Sequence, residues 1–213
     1  MIISSIKKRR SDVEIVFDDN SRIYVDYRVV FDNGLRKNDE VTKGLSDKLL
    51  IETGKLKIKD SAFRLLSRRQ HSKFELTQKL IRRGYSKEEI EPVLFQIEEK
   101  GLLDDVEFTK AYLNERLAKK RVGINKIKAE LLKKGIEPKI IEKILGQADV
   151  SISEQTALDL SRKKLEVLKR KESDSSKIKQ KLAAFLFTKG FETDLIRNIL
   201  GKLNLHDDAY EDL

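Results

Sequence analysis

Two adjacent carboxylates, Asp104 and Asp105 in "GLLDDVEF", are the residues of this chain best suited by type and spacing to catalysis, since paired acids can hold a divalent cation for phosphodiester cleavage. The simpler reading is preferred: Asp104 caps a helix running toward Phe108 and Asp105 is a first-turn acid, because carboxylates accept from orphan N–H groups and oppose the helix dipole. His71 and His206 lie far apart and the chain has no cysteine, so no zinc site is expected. There is no G-x-x-x-x-G-K-[ST] phosphate loop and no G-x-S-x-G elbow. Asp207 and Asp208, in "NLHDDAYEDL", read as part of a frayed acidic C-terminal tail. The sequence therefore reads as a non-enzyme that needs no cofactor.

The remaining chemistry is electrostatic. The formal charge is +9 over 213 residues, and residues 61–150 carry 20 basic against 14 acidic side chains. Between Arg116 and Lys134 stand eight cations and a single anion, Glu130. Such a patch suits a polyanion or an acidic protein face, and a solvated helix surface explains the clustering equally well. The candidate contact residues are Arg82, Arg83, Arg116, Lys119, Lys120, Arg121, Lys126, Lys133 and Lys134. Arg82–Arg83 and Lys133–Lys134 occupy matching places at helix C-termini, where the dipole accounts for one cation of each pair and leaves the other for a partner. Phe108 and Tyr112, four apart, are suited to stacking on bases but fit core packing better. Arg68 and Arg69 face either local acids such as Glu75 or a polyanion, and the run "RKKLEVLKRK" at 162–171 reads as a solvated helix face.

Three phrases set the elements that must position these residues: "RRGYSKEEIEPVL", "KKGIEPKIIEKIL" and "TKGFETDLIRNIL". Their glycines are Gly84, Gly135 and Gly190. Leu76, Ile127 and Leu182 fall eight residues before each glycine, and Leu80, Leu131 and Leu186 four before; Ile90, Ile141 and Ile196 follow by six, and Leu94, Leu145 and Leu200 by ten. These offsets place one apolar stripe on each of two helices, with the glycine closing the first in the left-handed region. Ser86-x-x-Glu89 opens the second helix as a capping box and Pro138 suits a first helical position, whereas Pro92 should kink its helix or shift its start. A further helix precedes each pair, around Ala62–Leu66, Phe108–Leu117 and Leu158–Leu168.

The expected fold is thus mainly α: three tandem three-helix repeats in an elongated, curved array, at residues 46–105, 106–150 and 151–213. Before them, at residues 1–45, lies a small β element, in which Val13, Ile15 and Phe17 alternate with polar residues ahead of a "DDNS" turn and residues 2–7 add a third strand. Without cysteines, disulfides are excluded, and no apolar run is long enough to span a bilayer, so a cytoplasmic protein without membrane contact is expected.

The ordered set "AFRLLSRRQHSKFEL" (62–76), "KLIRRGYSKEEIEPVLFQIEEKGLLDDVEFTKAYLNER" (79–116) and "GINKIKAELLKKGI" (123–136) resembles the RecX family of bacterial recombination regulators. Arg69, Ser72, Glu75 and Leu76 carry the match, with the turn at 101–105, Phe108, Tyr112 and Gly123. The resemblance implies a monomeric regulator in DNA repair and the SOS response. Its partner would be the RecA recombinase on single-stranded DNA, whose ATP hydrolysis, filament growth and strand exchange it restrains; it brings no catalytic residues. The alternatives are a helical DNA-binding protein independent of RecA and a nuclease using Asp104 and Asp105.

Overall fold

The computed structural model of the chain describes residues 1–147 and 150–203, the side chains of residues 150–152 excepted. His206, Asp207, Asp208 and the expected acidic tail lie outside the described residues. The chain forms two compact units, Met1–Leu103 and Asp104–Leu213.

The first unit opens with three antiparallel strands in the order β1–β2–β3: β1 (Ile3–Arg9), β2 (Asp12–Phe17) and β3 (Arg22–Asp26). Val13 opposes Val25 and Ile15 opposes Ile23, so the alternation read in the sequence puts one apolar face inward. A sheet this small needs support. It comes from α1 (Tyr27–Asp32), a short helix ended at Asn33–Gly34, and from α2 (Lys43–Leu66). Helix α2 starts at Lys43, a turn earlier than the pattern suggests, capped by Thr42, whose hydroxyl accepts from Leu45 N at 3.2 Å. Its 24 residues, about 36 Å at 1.5 Å per residue, serve two cores. Leu49 packs with Ile3, Ile15, Phe17, Val25 and Val41 under the sheet. Ile58, Ala62 and Leu65 pack with α3 (Lys73–Ile81) and α4 (Lys87–Glu99).

Polar side chains on one face of α2 lock it to the strands between these cores. Thr53 Oγ1 accepts from Asp26 N at 3.0 Å, Lys57 pairs with Asp12 at 2.7 Å, and Arg28 forks between Asp26 (2.9 Å) and Asp60 (2.6 Å). Asp26 is buried, yet the Arg28 guanidinium holds its carboxyl below the usual aspartate range, outweighing the desolvation that would raise it.

The second unit holds two trios. Helices α5 (Asp105–Ala118), α6 (Ile124–Lys133) and α7 (Pro138–Leu145) enclose one core around Ile127, Leu131 and Ile141. Helices α8 (Val150–Lys169), α9 (Ser175–Lys189) and α10 (Thr193–Lys202) enclose another around Leu182, Leu186 and Ile196. Of the twelve repeat positions, eleven are buried and Leu145 is half-buried, and Gly84, Gly135 and Gly190 have φ of +92°, +74° and +86°. The Ser86–Glu89 capping box is formed and Pro138 opens α7. The expected displacement of α4 by Pro92 does not occur. The helix keeps its cap at Ser86 and runs through to Glu99, because the carbonyl that Pro92 leaves without a helical donor belongs to Glu88, an exposed first-turn residue that water reaches.

The trios of the second unit are joined by backbone. No side chain caps α6; instead Gly123 N donates to Lys189 O at 2.9 Å and Asn125 N to Gly190 O at 3.0 Å, so the carbonyl end of α9 caps the N–H end of α6. A Cβ on Gly123 would stand 2.4 Å from Gly190 O, and one on Gly190 would stand 2.4 Å from Lys126 N. Gly123 is thus required by proximity, since its φ of −85° suits any residue.

Gly123→Ala is expected to destabilise the second unit by about 1–3 kcal/mol and to split its urea transition into two phases as the trios uncouple. Gly84→Ala, in open space but at positive φ, should cost about 1–2 kcal/mol without splitting any transition. Because the native pKa of Asp26 is depressed, its contribution is fully present above the unfolded value of about 4 and is lost as pH falls through the native one. Asp26→Asn should cost about 1–3 kcal/mol at neutral pH and flatten the acid limb of stability against pH.

Candidate polyanion-binding surface

The clustered cations between Arg116 and Lys134 belong to the end of α5, the following loop and α6, and the structure sorts them by what they touch. Glu130, the single anion of the run, takes Arg116 Nη2 at 2.6 Å on one oxygen and the Tyr112 hydroxyl at 2.9 Å on the other. The Arg116 and Glu130 side chains are only 26% and 23% exposed. Arg116 also lies over the Tyr112 ring at 5.9 Å, and Lys134 sits over both Tyr112 (5.1 Å) and Phe108 (5.8 Å). Phe108 is buried and stacks with Tyr112 at 6.0 Å between centroids, so it is a core residue of the second trio. Arg116 and Lys134 thus close the core of their own trio. Burial, helped by the hydrogen bond to Glu130, pushes the Tyr112 phenol up to about 12.

Other cations of the run have local acids. Lys119 ends α5 and pairs with Glu115 one turn back, and Lys128 reaches Glu142 at 3.5 Å. Lys120, at φ +45°, Arg121, Lys126 and Lys133 are exposed and have no ion pair among the described residues. Lys126 and Lys133 are seven residues apart on α6, hence on one face and about 10 Å apart, away from buried Ile127 and Leu131. That face and the loop carrying Lys120 and Arg121 make a cationic surface without a carboxylate partner among the described residues. Arg82 and Arg83 belong to the first unit, at the end of α3, where Arg83 Nη1 donates to Ser61 O at 3.3 Å and Arg82 is exposed.

Asp104 accepts from Val106 N at 2.7 Å and Glu107 N at 3.1 Å, the cap expected of it, and Asp105 opens α5. Among the described residues no group of three or more acids, histidines or cysteines is placed to hold a metal, and no helix is long and apolar enough to cross a membrane. In the run at 162–171, Arg162 and Lys163 face solvent while Lys164 lies over Phe185 at 5.3 Å. Lys79, which the sequence does not set apart, lies against buried His71 at 2.8 Å. The hint was available in the spacing of eight between them across a capped helix start.

Glu130→Gln is expected to cost about 1–3 kcal/mol, since it leaves the Arg116 charge without a counterion in a largely buried place. It should also lower the Tyr112 pKa part-way toward 10, because burial persists when the anion is gone. Spectrophotometric titration against a Tyr112→Phe control reads the second effect.

Family models for the first, second and third three-helix domains of RecX match residues 59–95, 104–145 and 153–200. The regulatory protein RecX of Clostridium perfringens (strain 13 / Type A) is 29% identical over 197 residues, 92% of each chain. That of Chlorobium phaeobacteroides (strain BS1) is 36% identical over 154 residues, 72% of this chain and 98% of its own. A crystal structure of a regulatory protein RecX superposes with a TM-score of 0.76 over 93% of this chain and 98% of that one at 22% identity; the RecX of Lactobacillus salivarius gives 0.65 over 72% and 98% at 23%. The three domains fall in order on the three trios, α2–α4, α5–α7 and α8–α10, and the chain belongs to the RecX family of regulatory proteins.

Proposed function

We propose that the chain binds the RecA recombinase and its single-stranded DNA filament and restrains ATP hydrolysis, filament extension and strand exchange, acting in the cytoplasm by binding and not by catalysis. Its family membership supports a regulator. The observation that carries the reading further is the set Lys120, Arg121, Lys126 and Lys133, four exposed cations without ion pairs among the described residues, close in sequence to Arg116 and Lys128, whose charges are taken by Glu130 and Glu142. Free cations on a firm helical scaffold lower the cost of approaching a polyanion, by releasing counterions from phosphates or by meeting an acidic protein face. Three small cores, each with its own helical surface, offer several modest contacts that add when engaged together.

Added in stoichiometric excess at low salt, the chain should depress the single-stranded-DNA-dependent ATPase and strand exchange of RecA. Arg121→Glu with Lys126→Glu should weaken that effect by about tenfold or more, mainly through slower association, with the urea midpoint unchanged. An unchanged ATPase under the parent chain refutes the reading. Equal gel-shift affinity for bare and RecA-coated DNA would instead favour a DNA-binding protein indifferent to the recombinase.

A further inference from the structure

The first trio contains a half-buried cation with no ion pair among the described residues. Lys79 is half-buried on α3, and its Nζ lies 2.8 Å from Nε2 of His71. His71 is 3% exposed and its Nδ1 lies 2.9 Å from Arg69 O. A carbonyl can only accept, so Nδ1 carries the proton and Nε2 accepts from the ammonium; the ring is the neutral tautomer. Burial lowers the His71 pKa and so favours that neutral form. The residues around Lys79 are mostly cations: Arg68 and Arg69 from the end of α2, and Arg83 just beyond α3. Glu75, an acid near Lys79, pairs with Arg69 at 3.0 Å. Arg68, Lys79 and Arg83 form no ion pair among the described residues.

This arrangement differs from that of the two half-buried arginines of the chain. Arg28 has Asp26 and Asp60, and Arg116 has Glu130. Lys79, also half-buried, has no ion pair among the described residues and is given a neutral imidazole that fixes its position. Burial is the largest influence lowering its pKa, followed by the repulsion of Arg69, so the gathering carries a standing electrostatic cost. The C-terminal dipole of α3 offsets a single cation in its last turn and falls off beyond it. A cluster of this kind is stabilised by an anion from outside the chain.

We propose that Arg68, Lys79 and Arg83 form a phosphate-binding site that takes the backbone of single-stranded nucleic acid, with His71 as the positioning residue for Lys79 and with Arg69, paired to Glu75, beside it. A point-charge ammonium held from below and guanidinium groups from the ends of two elements suit an anion whose oxygens point several ways, whereas one guanidinium fork already satisfies a planar carboxylate. The site needs no recombinase and is built from residues of the first unit alone.

The test is oligothymidylate binding to the intact chain, without recombinase, by fluorescence anisotropy from about 50 to 300 mM salt. Lys79→Gln and Arg83→Gln should each weaken binding about tenfold at the lowest salt and reduce the slope of log affinity against log salt by about one. His71→Gln keeps every cation, so affinity should fall with the slope unchanged. In 15N spectra of the lysine side chains, the Lys79 ammonium should titrate at higher pH with oligonucleotide bound than without. Wild-type binding by both Lys79→Gln and Arg83→Gln overturns the site, and these two variants decide the matter if His71→Gln does not fold. Polyglutamate that binds as tightly, with the same losses, overturns the phosphate assignment in favour of an acidic protein. Inorganic phosphate that saturates the Lys79 shift where equimolar oligothymidylate leaves it unmoved overturns the nucleic-acid assignment in favour of free phosphate. A negative outcome leaves the filament reading untouched, and loss of RecA regulation leaves this site untouched.

Discussion

A trio of about fifty residues buries its two apolar stripes only if the chain reverses between its second and third helices within a residue or two, and in this protein that reversal rests on a backbone conformation that L side chains resist. At Gly84, Gly135 and Gly190 a positive φ ends the helix and sends the chain back, so that the stripe of Leu80, Leu131 or Leu186 meets that of Ile90, Ile141 or Ile196. Without that sharp stop the second helix would run on and leave its partner's apolar face in water. The third helices are short, only eight residues in α7, and gain most of their stability from this packing. The turn glycine is therefore the condition for a core in each trio, and the three separate cores follow from its threefold use.

At Gly190 the turn does something more. Its carbonyl and that of Lys189 become the cap of α6, so a helix end in the third trio completes a helix start in the second. Helix α6 begins with no capping side chain: where Ser72 and Ser86 each take the N–H of the third helical residue in the first trio, here the N–H groups of Gly123 and Asn125 are taken by carbonyls more than sixty residues away. In the first unit, α2 takes the corresponding part by lying in two cores at once, fixed by Thr53, Lys57 and Asp60 along one face. Small cores are thus joined within each unit by a shared helix or by shared backbone hydrogen bonds.

Much of this was legible in the sequence because it is local. A glycine at a helix end, an apolar residue four before it and six after, a Ser-x-x-Glu at a helix start and an alternating strand all declare themselves within a dozen residues. The role of Gly123 did not, since its φ is ordinary and its need for a missing side chain arises from Gly190, remote in sequence. The sorting of the cations was equally hidden. Arg116 and Lys134 read as members of one cluster with Lys126 and Lys133, yet the first two close over Tyr112 and the latter two face water. Which is which depends on the way α6 folds back along α5, placing Glu130 opposite Arg116. The one signal was Glu130 itself: a lone anion in a run of cations is more easily explained by a fixed internal partner than by chance.

The same reasoning bears on how a surface of cations could select among polyanions. A cation that is paired internally stiffens the fold and offers little to a partner, because the partner would first have to separate the pair. An unpaired cation on a flexible loop attracts any polyanion and discriminates poorly. Selective recognition needs charges that are both unpaired and held, and among the described residues two arrangements meet that condition. Lys126 and Lys133 are held by the rigidity of α6, whose opposite face is locked in the core by Ile127 and Leu131. Lys79 is held by a hydrogen bond to His71, which restrains the ammonium without cancelling it. A carboxylate in the place of His71 would have fixed Lys79 equally well and left nothing for a ligand to neutralise. The imidazole separates the two jobs, and its burial keeps it uncharged, which is the condition for doing the first without undoing the second.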